Sequence, residues 1–100
     1  MNIQILDEAQ ADLREGAKFY EQLNAGLGTY FLDTIFSDIN SLILYAGVHN
    51  KLNGYHRLLS KTFPYAVYYQ IDEDVIKIYA ILDCRRNPIR TIEVLKQRRI

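Results

Sequence analysis

The chain has 100 residues, of which 49% are apolar, and this balance excludes a disordered protein and favours one globular domain over residues 1–100. A single cysteine excludes an internal disulfide framework. Neither a signal-peptide pattern nor a membrane-spanning apolar stretch is present, so we expect a cytoplasmic protein without a membrane partner. The formal net charge is zero, but the first 50 residues hold two basic and seven acidic residues, a net −5, and the last 50 hold ten and five, a net +5.

The chain begins with a predicted short strand and a helix. Ile3 and Ile5 alternate with polar neighbours, which is typical of a strand. Asp7 is expected to cap the following helix, with Gln10 at the capping-box position. The inward face of that helix is marked by residues at helical spacing: Ala9, Leu13, Gly16, Ala17, Tyr20 and Asn24. Its opposite face is charged, so we expect a surface helix with one buried side.

A second helix has the clearest periodicity in the chain. Two glycines, Gly26 and Gly28, separate it from the first helix, and Gly47 is expected to end it. Its apolar stripe consists of Leu32, Ile35, Phe36, Ile39, Leu42, Ile43 and Ala46. Because the connection between the two helices is short, we expect an antiparallel helix hairpin.

The C-terminal half predicts a loop over residues 48–54, three strands and a final helix. The strands are Tyr55–Lys61, Tyr65–Ile71 and Val75–Leu82, with an acidic turn before the last one. Residues 89–100 predict a short basic helix whose inward residues would be Ile89, Ile92 and Leu95. The predicted fold class is α+β, in the order β-α-α-β-β-β-α. We expect an antiparallel sheet with the helix hairpin on one face, and a partly open second face that could bind a ligand.

Metal-ligating and catalytic groups are sparse in this sequence. The two histidines, His49 and His56, and the one cysteine, Cys84, lack a paired ligand spacing, so we expect no metal and no cofactor. Cys84 and His56 could form a nucleophile pair only if the fold brought them together, and a space-filling role for the cysteine is the preferred interpretation. Among the tyrosines, strand alternation places Tyr65 and Tyr69 on one face and Tyr68 on the other, for cross-strand packing or for stacking on bases.

Basic side chains are the main candidates for a functional site. The candidate patch consists of Arg57, Lys61, Arg85, Arg86 and Arg90. Arg57 and Lys61 are an even number of residues apart on one predicted strand, so we expect them on one face. The chain from Arg85 onward holds six basic residues against Glu93 alone, which suits nucleic acid or an acidic protein partner. The alternatives are a solvated basic helix, or arginines that pair with Asp83 and with carboxylates of the first helix.

Several of these residues resemble the RelE/ParE superfamily of bacterial type II toxin–antitoxin toxins, over nearly the whole chain. The matching pieces are Arg57, Phe63-Pro64-Tyr65 with Tyr69, and the run AILDCRRNP from Ala80 to Pro88. That run is similar to a His-Gly-Arg-Arg-Asp-Pro-like pattern of ParE-like plasmid stabilisation proteins, with Asp83 and Cys84 in place of His-Gly. The resemblance implies a RelE/ParE-like fold, a toxin function and a cognate antitoxin partner, in a homodimer or a toxin–antitoxin hetero-oligomer.

Two activities divide that superfamily, and the residues favour one of them. RelE-like members cut mRNA on the ribosome with basic groups and usually a C-terminal Tyr or His, whereas ParE-like members poison DNA gyrase. Arg57 and Arg85 match basic positions of the ribonuclease pattern, but Leu59, Ala66 and Thr91 stand where reactive or charged groups are expected. We therefore expect a gyrase-binding toxin without catalytic residues. The alternatives are a ribosome-dependent mRNA endonuclease that uses Arg57, Lys61 and Arg85, and a non-toxic relic that only binds its antitoxin.

Overall fold

A computed structural model describes residues 1–98 and contains the predicted elements in the predicted order, together with two short elements that were not predicted. The strands are β1 (Asn2–Ile5), β2 (Lys51–Leu52), β3 (Tyr55–Leu59), β4 (Tyr65–Asp72) and β5 (Val75–Asp83). The helices are α1 (Asp7–Leu23), α2 (Leu27–Asn40), α3 (Leu42–Tyr45) and α4 (Pro88–Arg98). The α+β class and the helix hairpin are confirmed. The predicted end of the last helix, residues 99–100, lies outside the described residues.

The sheet has the strand order β1-β5-β4-β3-β2. Strands β3, β4 and β5 form the predicted antiparallel meander, and β2 adds to it antiparallel to β3. Strand β1 joins the sheet parallel to β5, with Ile3 opposite Ile76. The β2 strand lies inside the segment predicted to be a loop. It turns into β3 through Asn53 and Gly54, both with positive φ (52° and 87°), which is the backbone that an Asn-Gly hairpin turn requires.

A register shift in the β4–β5 pair changes which β5 residues face the helices. Tyr68 pairs with Ala80 and Tyr69 with Ile78, so Tyr79 is the extra residue of a bulge. Ile78 and Ile81 consequently point to the same face although they are three residues apart. The predicted alternation of the β4 tyrosines is confirmed, because Tyr65 and Tyr69 belong to one core cluster and Tyr68 belongs to the other.

The helix hairpin packs on the first face of the sheet around a group of aromatic rings. Tyr20 of α1 and Phe31 of α2 stack at 5.2 Å between ring centroids, and both contact Phe63 and Tyr65. Gly16 of α1 leaves room for this group, since a Cβ there would lie 2.7 Å from Cζ of Phe31. Burial of these large apolar rings supplies much of the driving force for packing α1 and α2 on the sheet.

Helix α4 covers part of the second face, which the sequence predicted to be partly open. Leu95 is fully buried against a cluster that includes Tyr55 and Tyr68, and the Tyr55 hydroxyl donates to the Leu95 carbonyl at 3.0 Å. The predicted inward position of Ile89 is wrong, because its side chain is 65% exposed. The helix begins at Pro88, and its buried residues are Thr91 and Leu95, one turn apart.

Two local predictions at helix ends also need correction. Asp7 is the first residue of α1 and not its cap: the N-cap is Leu6, without a side-chain hydrogen bond. Gln10 instead donates from Nε2 to the Ile5 carbonyl at 2.8 Å. The predicted single second helix is interrupted at Ser41, whose hydroxyl donates to the Asp38 carbonyl at 2.6 Å, a bond that competes with regular helix geometry.

A partly buried ion pair covers the edge of β5 beyond the end of its pairing with β1. The β1–β5 pairing ends at Ile78, so later β5 backbone groups need other partners. Asp12 of α1 accepts from the Ile81 N–H at 2.9 Å, and Arg98 of α4 donates to the Tyr79 carbonyl at 3.1 Å. The two side chains also bond each other at 2.5 and 3.0 Å, with 10% and 17% of their side-chain surfaces exposed. This contact joins α1, β5 and α4.

Candidate functional site

The segment between β5 and α4 is the most basic exposed part of the described chain. Every residue from Cys84 to Arg90 is exposed, and three of the seven are arginines. The segment is nevertheless held at both ends. The Cys84 N–H donates to the Pro64 carbonyl at 2.7 Å, and the side chain of Asn87 accepts from the Ile89 N–H at 2.9 Å at the start of α4. The arginines are therefore presented on an ordered loop.

Arg85 forms an internal ion pair with Asp83, one of the alternatives that the sequence left open. Its Nε and Nη2 atoms donate to the two carboxylate oxygens at 3.0 and 2.7 Å, and its backbone N–H donates to the same carboxylate. These hydrogen bonds hold the pKa of Asp83 below its usual range. The Arg85 side chain remains 59% exposed, so its charge still reaches the surface.

Arg57 and Arg86 lie beside a small cavity between β3, the end of β5 and α4. This pocket has a volume of about 90 Å³ and is lined by Leu52, Arg57, Tyr68, Cys84, Arg86, Pro88, Thr91 and Ile92. One guanidinium nitrogen of Arg57 lies 3.8 Å from the sulfur of Cys84. Its Nε atom is buried without a hydrogen-bond partner in the part of the chain that the structure describes. Burial raises the pKa of the neighbouring Tyr68, although a hydrogen bond from Arg57 opposes the shift.

Lys61 reaches the site in a different way from the one predicted. Strand β3 ends at Leu59, so the predicted strand Tyr55–Lys61 is too long. The prediction that Arg57 and Lys61 share one face of that strand is therefore wrong. Lys61 and Arg57 nevertheless line one cleft of about 420 Å³. Lys61 also lies near Asp38, whose pKa is raised by burial against the opposing effects of Ser60 and Lys61.

Two histidines, His49 and His56, contact the same tyrosine, Tyr69, a cluster that the sequence did not predict. The Nδ1 atom of His49 lies 2.5 Å from the Tyr69 hydroxyl, which also accepts from the Gly47 N–H at 2.9 Å. His56 stacks on the Tyr69 ring at 5.0 Å, and its Nδ1 hydrogen-bonds the His49 carbonyl. Burial lowers the pKa of His49, and His56 adds to the shift. Cys84 contacts Arg57 and not His56 among these interactions, so they do not support a Cys84–His56 nucleophile pair.

The remaining candidate, Arg90, is exposed on the first turn of α4 and lines neither the cleft nor the small pocket. Within residues 1–98, no group of three His, Cys, Asp or Glu side chains is placed to hold a metal ion. In the same part of the chain, no helix has the length and apolar character to cross a membrane. The structure therefore gathers Arg57, Lys61 and Arg86 around two neighbouring cavities, and leaves Arg85 and Arg90 at the surface beside them.

Comparison with solved structures first supports the fold. The fold is similar to a chain described as "Chromosomal ParDE TA system from P. aeruginosa", with a TM-score of 0.74 and 20% sequence identity over 81% of this chain and 92% of that chain. At this identity the likeness concerns the fold alone, which is a small α+β domain. No curated protein sequence matches the chain.

The family follows from the sequence itself. The profile of the family described as "ParE toxin of type II toxin-antitoxin system, parDE" matches residues 3–88, from β1 to the first residue of α4. The chain therefore belongs to the ParE toxin family. The predicted RelE/ParE resemblance is confirmed, on the ParE side of the superfamily. The matched region contains Arg57, Lys61, Arg85 and Arg86, whereas Arg90 lies outside it.

Proposed function

We propose that this ParE-type toxin binds and inhibits DNA gyrase in the cytoplasm, without catalysing a reaction of its own, and that a cognate antitoxin neutralises it. The observation that carries the proposal is the chemistry of three positions where ribonuclease relatives are expected to hold reactive or charged groups. Ala66 is fully buried, Thr91 has no titrating group and Leu59 is an exposed aliphatic side chain. Cutting RNA requires a base, charge stabilisation and a proton donor, and these side chains supply none of them.

The exposed arginines of the β5–α4 segment are the residues proposed to contact gyrase. Arginine is enriched at the energetic centres of protein interfaces, because it combines a long apolar stem with five hydrogen-bond donors. Arg85 is held in one orientation by Asp83, which lowers the entropy that is lost on binding. Arg86 lies on the same loop and Arg90 on the first turn of α4, and neither has an ion pair in the described residues.

Supercoiling of relaxed plasmid by purified gyrase tests this proposal. The folded toxin is expected to inhibit supercoiling and to accumulate cleaved DNA. Changing Arg85→Ala together with Arg86→Ala is expected to raise the half-inhibitory concentration at least about tenfold. Arg14→Ala removes an exposed arginine from α1, outside the patch, and serves as the control. Full supercoiling in the presence of the folded wild-type chain would contradict the gyrase proposal.

A second candidate function, ribosome-dependent mRNA cleavage, is favoured by the cleft that contains His49, Arg57 and Lys61. An imidazole beside two cations is a combination that can move a proton and stabilise a phosphate charge. Primer extension on ribosome-bound mRNA tests this candidate, and His49→Ala should abolish the cuts if it is correct. If neither gyrase nor mRNA is affected and expression leaves growth normal, the chain is the non-toxic relic.

Exposed apolar residues mark a surface suited to the antitoxin. Ile43, Leu44 and Tyr45 of α3 and the following Val48 are all more than half exposed, and Val48 lines the large cleft together with Leu59. Exposed apolar side chains near a cleft that holds Arg57 and Lys61 fit an amphipathic, acidic segment. The change Leu44→Asp is expected to weaken capture of the antitoxin encoded beside the toxin gene, whereas Lys18→Asp on α1 should leave capture unchanged.

A further inference from the structure

The pocket between β3, the end of β5 and α4, called here the Arg57–Arg86 pocket, is lined by two arginines. None of its lining residues is an aspartate or glutamate. The ion pairs among residues 1–98 use Lys77, Arg85 and Arg98, so Arg57 and Arg86 form no ion pair there. Arg86 also lines a separate cavity of about 170 Å³ with Asp12, Glu15 and Asp83, and its charge helps to lower the pKa of Asp83. Two guanidinium groups beside one small cavity create a local positive potential that attracts an anion.

Hydrogen-bond donors in this pocket also lack acceptors. The Nε–H of Arg57 is buried and unpaired within the described residues, and an acceptor inside the pocket would relieve that cost. Tyr68 lines the pocket with a phenolic hydroxyl, a group that can both donate and accept. Thr91 contributes a second hydroxyl from α4. These groups approach the cavity from β3, β4, α4 and the β5–α4 segment.

We propose that the Arg57–Arg86 pocket binds a phosphoryl group, either of a nucleotide or of a nucleic-acid backbone. Two arginines and two hydroxyls that approach from different elements match a tetrahedral oxyanion, whereas a flat carboxylate is satisfied by one guanidinium fork. The cavity of about 90 Å³ is several times the roughly 10–15 Å³ that one ordered water needs, so it admits a small oxyanion. Pro88 places the positive end of the α4 dipole at the same wall.

Amide chemical shifts of the ¹⁵N-labelled full chain, followed during titration at constant ionic strength, test the proposal. The probes are inorganic phosphate, adenosine 5′-monophosphate, a single-stranded DNA oligonucleotide, and acetate as the carboxylate control. We expect saturable shifts at the amides of Cys84, Arg86 and Thr91, with millimolar affinity for phosphate and with little response to acetate. If the oligonucleotide binds more tightly than the monophosphate and is displaced by phosphate, the ligand is a nucleic-acid backbone. Equal affinity for both would identify a free nucleotide or phosphate ligand.

Matched substitutions separate pocket binding from general charge attraction. Arg57→Gln and Arg86→Gln are each expected to weaken phosphate binding at least about tenfold, the loss typical of one charge-assisted hydrogen bond. Arg57→Lys should be nearly as weak as Arg57→Gln, because lysine keeps the charge but lacks the Nε–H and the planar fork. Arg14→Gln removes an equal charge from the exposed side of α1 and should leave binding unchanged.

Three results would overturn the proposal: no saturable shifts with phosphate for the folded chain, equal weakening by Arg14→Gln, or acetate binding as tight as phosphate binding. Full recovery of binding in Arg57→Lys would refute the donor geometry. Arg86 is exposed, so Arg86→Gln keeps the test valid if the Arg57 variants fail to fold. The titration contains no gyrase, so its outcome is independent of the supercoiling assay, and either proposal can fail alone.

Discussion

The ion pair between Asp12 and Arg98 is expected to be a major local contribution to stability, and Asp12→Ala tests this. The carboxylate accepts two hydrogen bonds from Arg98 and one from the Ile81 N–H, and the alanine variant loses all three. Removing one partner of a fully buried pair costs about 3–5 kcal/mol. The side chains here keep 10% and 17% of their surface exposed, so we expect the free energy of unfolding to fall by about 2–4 kcal/mol.

Urea unfolding followed by far-UV circular dichroism measures this loss, since the chain has no tryptophan to report by fluorescence. Asp12→Asn keeps an oxygen for the Ile81 N–H and should cost about half as much as Asp12→Ala. The control is Asp72→Ala, which breaks an exposed pair with Lys77, where 62% and 30% of the side-chain surfaces are accessible. That change should cost less than about 1 kcal/mol.

A double-mutant cycle of Asp12→Ala and Arg98→Ala isolates the energy of the pair itself. Residues that share a hydrogen-bond network usually show coupling of about 0.5–3 kcal/mol, and we expect a value in the upper half of that range. A loss for Asp12→Ala no larger than the loss for Asp72→Ala would refute the assignment of this contact as a stabilising link between α1, β5 and α4. A coupling energy near zero would refute it as well.

Three further predictions concern stability. Gly16→Ala should lower the free energy of unfolding by about 1–3 kcal/mol, because its Cβ would lie 2.7 Å from Cζ of Phe31, and urea titration measures this. Burial raises the pKa of Tyr65 to about 12, so the folded chain holds that proton above the usual pKa of about 10. The free energy of unfolding should therefore fall between about pH 10 and 12, by about 1–2 kcal/mol from this group. Tyr65→Phe should flatten this dependence of stability on pH, and an unchanged dependence would contradict the burial argument. Arg85 lowers the pKa of Asp83, so the ionised Asp83 carboxylate stabilises the folded chain above about pH 4. This stabilisation is lost as the pH falls, and Asp83→Asn should reduce that acid-dependent loss of stability.

The candidate site shows where residue patterns were informative and where they were not. The exposed arginines after β5 could be located from the sequence because they directly follow a strand with a clear apolar pattern. The pairing of Arg85 with Asp83 was one of the alternatives, since the residues are two apart. The cluster of His49, His56 and Tyr69 was missed, because its members come from a loop and two strands whose register no local pattern predicts.

The order of the main elements, the helix hairpin and the β4 alternation were determined by the sequence alone, because periodicity and turn residues act between near neighbours. The family resemblance was also visible in the sequence alone. Only the tertiary structure decided the parallel pairing of β1, the bulge at Tyr79 and the Arg57–Arg86 pocket. The wrong position of Ile89 has the same origin, since the inward face of α4 depends on where that helix begins and docks. Asp12 and Arg98 are 86 residues apart, and a contact across that separation exists only after α1 and α4 have packed around the edge of β5.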